Sequence, residues 1–186
     1  MPERRFPRLV SLACHDLRTP LATIYGFART LTRAGELDDR SARFLAMIEE
    51  ASEQMTSLLD ELGAAARIEG HRWEPALREV DTLQLAHAED ERIAVEGAGA
   101  TVETEVEAVE RALRALAIAA IRFGPVDGVK WHVAGRELAL SPVTAEAAPI
   151  VTGVEFRDLG SLVARLVIEE LGGTLELDGS TLLVRL

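Results

Sequence analysis

The stretch RLVSLACHDLRTPLATIYGFARTL, residues 8–31, places Val10, Cys14, Leu17, Leu21, Ile24, Ala28 and Leu31 at alternating spacings of four and three. Apolar residues that return at this interval fall along one side of an α-helix. Working outward, Ala34-Gly35-Glu36-Leu37-Asp38-Asp39 breaks the pattern. Phe44, Ile48, Ala51, Met55, Leu58 and Leu62 then repeat it. The two seams predict a helical hairpin. Two such helices cannot cover both seams by packing on one another alone, so a four-helix bundle made by two copies, a homodimer, is expected. Packing of the hairpin on the chain's own second half is the alternative.

Gly63 to Pro75 mixes alanines with Gly70 and Pro75 and reads as a helix end followed by a connector. Beyond it the period changes. Arg92–Val95, Val129–Val133, Glu137–Leu140, Val151–Phe156, Thr174–Leu177 and Thr181–Leu186 are expected strands. Glu105–Phe123, with Val109, Leu113, Leu116 and Ile121, and Leu159–Leu171, with Leu162, Val163, Leu166 and Val167, are expected helices. The predicted fold is α+β: an N-terminal helical hairpin, residues 1–70, and a small C-terminal α/β sandwich, residues 76–186.

Composition narrows the function. With 48% apolar residues among 186, the chain has enough material for a core. Twenty Lys and Arg against 31 Asp and Glu leave a charge of −11, which disfavours nucleic acid as a partner. Through Gly70 there are 9 basic and 11 acidic residues, so the second half carries −9 of that charge. The longest run without a charged side chain is Thr19 to Ala28, too short to cross a bilayer. Arg4 and Arg5 are basic, but Arg8 and Asp16 interrupt any signal-peptide core, and Cys14 is the single cysteine. No membrane association, no structural zinc and a cytoplasmic location are expected.

Within the first seam, His15 falls off the apolar side, and Thr19, four residues on, falls beside it. A neutral imidazole is a competent nucleophile for phosphorus, and the carboxylate of Asp16 is placed to orient it. Pro20 lacks an amide hydrogen and is expected to loosen the helix beside the histidine. His71, His87 and His132 fall in a connector, a polar segment and an alternating strand, and carry no comparable pattern. No His-Glu-x-x-His spacing is present.

His15-Asp16-Leu17-Arg18-Thr19-Pro20-Leu21 resembles the H-box of sensor histidine kinases, in their dimerisation and histidine-phosphotransfer domain. The resemblance covers about residues 6–68. It implies that His15 is the phosphoacceptor, that Asp16 orients and activates the imidazole, and that Thr19 positions water for phosphatase action. The remainder resembles that family's ATP-binding domain in outline: Val106–Phe123 followed by Gly124-Pro125, and Leu159–Leu171 followed by Gly172-Gly173-Thr174-Leu175-Glu176. Its functional positions depart from the pattern. Ala119 stands where the family has a magnesium-binding asparagine. Ser141-Pro142-Val143-Thr144-Ala145 stands where an Asp-x-Gly-x-Gly box recognises adenine. Asp158-Leu159-Gly160-Ser161 puts an acid in the last glycine box, and the segment between the boxes is only about a dozen residues long. A carboxylate at a helix N-terminus repels phosphate, so a degenerate ATPase-like domain without ATP binding is expected.

The combination resembles the dimeric histidine phosphotransferases of phosphorelays. It implies transfer of a phosphoryl group between His15 and receiver-domain aspartates of response regulators, with no cofactor of the chain's own and Mg²⁺ supplied by the receiver. Arg18, Arg40, Arg43 and Met47 are the expected docking residues. An active histidine kinase, a receiver phosphatase acting through Thr19 and a non-catalytic dimeric adaptor are the alternatives.

Overall fold

The computed structural model describes residues 5–35, 37–87 and 89–186. Arg4 and Glu36, both used above, lie outside the described residues. The chain divides into two compact units between Arg72 and Trp73.

The first unit is a helical hairpin of α1 (Arg5–Ala34) and α2 (Asp39–Glu69). Helix α1 is unbroken through Pro20. Asp38 caps α2, accepting from the backbone N–H groups of Arg40 and Ser41, both at 2.9 Å, and from the Ser41 hydroxyl at 2.8 Å. Those donors, with Ser41 foremost, hold the Asp38 carboxyl below its ordinary pKa.

The expected α1 seam splits in two. Cys14, Leu21 and Ala28 are buried inside the hairpin, whereas Leu17, Ile24 and Leu31 are about half exposed. The α2 seam lies outside as well: Phe44, Ile48, Met55, Leu58 and Leu62 are exposed, and the buried residues of α2 are the smaller Ser52, Gly63 and Ala66 together with Ile68. Small side chains let the two helices approach closely, which turns the large ones outward. A column of polar residues flanks the contact at seven-residue intervals along α1. Ser11, Arg18, Tyr25 and Thr32 reach Arg72, Asp60, Glu53 and Glu49 at 3.2, 2.6, 3.0 and 2.7 Å.

The second unit contains β1 (Arg78–Asp81), α3 (Thr82–Leu85), β2 (Ile93–Gly99), β3 (Thr101–Thr104), α4 (Val106–Phe123), β4 (Val129–Gly135), β5 (Glu137–Ser141), α5 (Ala148–Val151), α6 (Leu159–Glu170), β6 (Thr174–Asp178) and β7 (Thr181–Arg185). Five strands form a mixed sheet in the order β2-β4-β5-β7-β6, with only β2 and β4 parallel. Strands β1 and β3 make a separate antiparallel pair. Val129, Trp131 and Val133 of β4 alternate inward with Leu138 and Leu140 of β5 and Leu182 and Val184 of β7. Lys130 and His132 point outward. The inner face is covered by α4 and α6, which bury Val109, Leu113, Leu116, Val163, Val167 and Ile168.

Three differences from the sequence expectation stand out. Val151–Phe156 is not a strand: α5 occupies Ala148–Val151 and a turn follows it, with Gly153 at φ +72°. Pro149 sits in the first turn of α5, and the Thr144 hydroxyl accepts from the Ala147 N–H at 3.3 Å. Val151, Thr152 and Val154 are β-branched and suggested a strand, but Val151 is buried at the end of this short helix. The four-residue elements β1, α3 and β3 carried no readable period. Thr82 anchors them from a fully buried position, donating to the Gly135 carbonyl at 2.6 Å and accepting from the Ala100 N–H at 3.0 Å. Strand β2 also runs on to Gly99, past the expected Val95. Gly97, at φ +117°, permits this because any Cβ there would collide with the backbone of Val133 in β4.

Candidate functional site

The site is built on one face of α1. His15 is exposed, and its Nδ1 lies 3.1 Å from Asp16 Oδ1. With the ring proton on Nδ1 and donated to that carboxylate, Nε2 presents its lone pair to solvent. Helical side chains lean toward the preceding turn. Ser11 and the exposed Thr19 lie one turn before and one turn after His15 on the same side of α1.

Arg18 is not a free docking cation. Its Nη2 donates to Asp60 Oδ1 at 2.6 Å, tying α1 to α2 one turn beyond His15. Arg40, Arg43 and Met47 are exposed, and Arg40 lies over the Phe44 ring at 5.4 Å. The structure does not bring these three to His15. The antiparallel hairpin sets the start of α2 against the end of α1, near the Thr32–Glu49 contact. At 1.5 Å per residue that level lies ~25 Å along α1 from His15. The part of α2 level with the histidine is the stretch after Asp60. The predicted hairpin already implied this, because a short connector after Ala34 sets the start of the second helix beside the end of the first, far from His15.

In the second unit, Ala119, which the resemblance aligns with a magnesium-binding asparagine, is buried in α4 at 1% exposure, and its methyl group offers no oxygen. Asp158 is the N-cap of α6, and its Oδ1 accepts from the Ser161 N–H at 2.8 Å and from the Ser161 hydroxyl at 2.9 Å. Arg122 at the end of α4 lies 3.8 Å from the other carboxylate oxygen. Thr144 adjoins Gly124, the residue that closes α4. The end of α4, the segment after β5 and the start of α6 thus meet at one corner. There the Ser161 amide, at the N-terminus of α6, is bonded to the chain's own Asp158 carboxylate. An open depression of about 580 Å³, lined by Arg92, Ala94, Lys130 and Ser141 among others, includes neither Ala119 nor Asp158. Among the described residues no helix is long and apolar enough to cross a membrane.

Residues 8–71 match the model of the His Kinase A (phospho-acceptor) domain, a span that contains His15, all of α2 and α1 from Arg8 onward. The hairpin is thus a histidine kinase-like phosphoacceptor domain of two-component signalling. Histidine protein kinase DivJ of Caulobacter vibrioides is 27% identical over 169 residues, 82% of this chain and 28% of DivJ. Among solved structures, full-length ShkA in complex with AMPPNP superposes with a TM-score of 0.70 at 21% identity, over 96% of this chain and 44% of that one. The Acinetobacter baumannii histidine kinase AdeS gives 0.55 at 20% identity, over 91% of this chain and 94% of that one. The chain spans less than a third of DivJ and less than half of ShkA. At these identities the structural likeness speaks for the fold: a phosphoacceptor hairpin followed by an ATPase-like α/β region.

Proposed function

We propose that this chain is a histidine phosphotransferase, carrying phosphoryl groups between receiver domains of response regulators without binding ATP. The Nε2 lone pair of His15 attacks the phosphorus of an aspartyl phosphate. The N–P bond forms as the P–O bond to the aspartyl carboxylate breaks, and that carboxylate leaves as the anion. The product imidazolium keeps its proton on Nδ1, held by Asp16. Transfer to a second receiver reverses these events, and Mg²⁺ is supplied by the receiver's own acidic residues. The observation that carries this proposal is a contrast within the chain. His15 is exposed with Nε2 free, whereas Asp158 occupies the start of α6 and Ala119 holds the magnesium position of the resemblance.

The outward apolar residues of α1 and α2 support a homodimer built on the hairpin. The exposed Thr19, one turn from His15, is placed for a receiver-phosphatase activity. A fold shared with ShkA, described in complex with AMPPNP, favours the second hypothesis, a working autokinase, which would need nucleotide at the corner that Asp158 fills. Two labelling reactions separate these hypotheses: one with radiolabelled Mg²⁺-ATP, one with phosphorylated receivers, each with His15→Ala as control. Acid-labile label from receivers and none from ATP is the expected result. Label from ATP alone makes the protein a kinase, and label from neither moves the weight to a phosphatase or an adaptor.

A further inference from the structure

The C-terminal end of α2 delivers a cation to the phosphoacceptor face that no motif signalled. His71 takes a left-handed conformation at φ +49°. The His71 N–H donates to the Ile68 carbonyl at 2.8 Å and the Arg72 N–H to the Arg67 carbonyl at 2.8 Å. This pair of bonds is the Schellman ending of a helix, usually built on glycine but open to histidine. It reverses the chain so that the Arg72 side chain returns over Gly70, where an added Cβ would stand 3.1 Å from Arg72 Nε. Arg72 Nη2 then donates to Ser11 Oγ on α1 at 3.2 Å. Ser11 is one turn before His15 on the same side of α1.

Charge distinguishes Arg72 from Arg18. Arg18 is neutralised by Asp60 at 2.6 Å. Among the described residues no carboxylate forms an ion pair with Arg72, whose side-chain partner is the neutral Ser11 hydroxyl. A guanidinium is the preferred group for a phosphoryl dianion, because its planar donors match two phosphoryl oxygens at once.

We infer that Arg72 is a phosphoryl-binding residue of this site. It leaves Ser11 to pair with the phosphoryl group once His15 carries one, and so favours the phosphorylated state. The inference rests on His15 being the phosphoacceptor. Ser11 acts as a positioning residue that holds the guanidinium ready.

The test uses the full chain modified with phosphoramidate, a small-molecule phosphoryl donor that needs no receiver, and followed by ³¹P NMR. Wild type is compared with His15→Ala, Arg72→Ala, Arg72→Lys and Ser11→Ala. Asp16 and the Arg18–Asp60 pair are present in every comparison of the Arg72 variants, so the difference reports Arg72. An opposite charge at this range lowers a titration midpoint. The phosphoryl midpoint in Arg72→Ala is therefore expected to rise by about half a unit or more over wild type, with Arg72→Lys restoring much of it and helical content unchanged. The yield of phosphohistidine at fixed phosphoramidate should fall several-fold in the same order, with Ser11→Ala intermediate. An unchanged midpoint and yield in Arg72→Ala, with His15 modified, overturns the inference alone. A wild-type protein that is not modified at His15 overturns the phosphoacceptor proposal, and the inference with it.

Discussion

The hairpin and the α/β unit dispose of their large apolar residues in opposite ways. Trp131, Leu138, Leu140 and Leu182 of the sheet are fully buried, while Leu17, Ile24, Met55 and Leu58 of the hairpin are 45–53% exposed. The α/β unit closes its core with its own helices. The hairpin uses small residues for its internal contact and leaves its larger ones for another surface. Chemistry follows the same division. On the hairpin an imidazole stands in solvent on a regular helix. In the α/β unit the corner where α4 ends and α6 begins holds a carboxylate bonded to its own helix.

The contrast breaks most sharply at His15. His15→Ala should reduce receiver-dependent labelling to background without altering the melting of either unit. Residual acid-labile label on the variant would place the acceptor elsewhere. Truncating the core should have the reverse effect: Trp131→Ala is expected to cost about 3–5 kcal/mol in the α/β unit, read by its thermal transition, while the hairpin keeps its helical signal. The outward seam is probed by charge. Ile24→Asp with Leu58→Asp should yield a monomer by light scattering while the sheet melts as before, and a persisting dimer would mean that the hairpin seam is not the interface.

Smaller effects sharpen the comparison at the caps. Asp158→Ala is expected to cost ~1 kcal/mol through the loss of the α6 cap, with no gain in Mg²⁺-ATP binding by calorimetry because Ala119 still offers no ligand. Acid should act on each unit through a different carboxylate. Hydrogen bonds from the Arg92 side chain and backbone hold Asp90 down to about 2, and those from Ser41 and Arg40 lower Asp38. A carboxyl with a depressed folded pKa favours the ionised form in the fold, so the unfolded chain binds more protons. The contribution is complete above the unfolded pKa of about 4 and is lost as pH falls toward the folded value. Melting followed from pH 6 down to 2 should show both units losing stability below about pH 4. Asp90→Asn should flatten the limb of the α/β unit and Asp38→Asn that of the hairpin.

Local periodicity made the hairpin and the face that carries His15 legible. A helix repeats every 3.6 residues by backbone geometry, so the placement of His15 and Thr19 beside the Cys14 and Leu21 side followed from spacing along a single element. The start of α6 at Leu159 was readable too. Whatever depends on two elements meeting was hidden. The inward and outward halves of the α1 seam were separated by the size of the α2 residues facing them. The pairing of Arg18 with Asp60 and the return of Arg72 to Ser11 follow from interhelical register and from one left-handed residue, His71. The helix at Ala148–Val151 prevailed over β-branched side chains for the same reason: burial against α4 and α6 outweighs a propensity worth a fraction of a kcal/mol per residue. Residue order therefore carries the chemistry of a single helix face, whereas the partners of that face come from side chains far apart in the chain, selected by packing that no local pattern encodes.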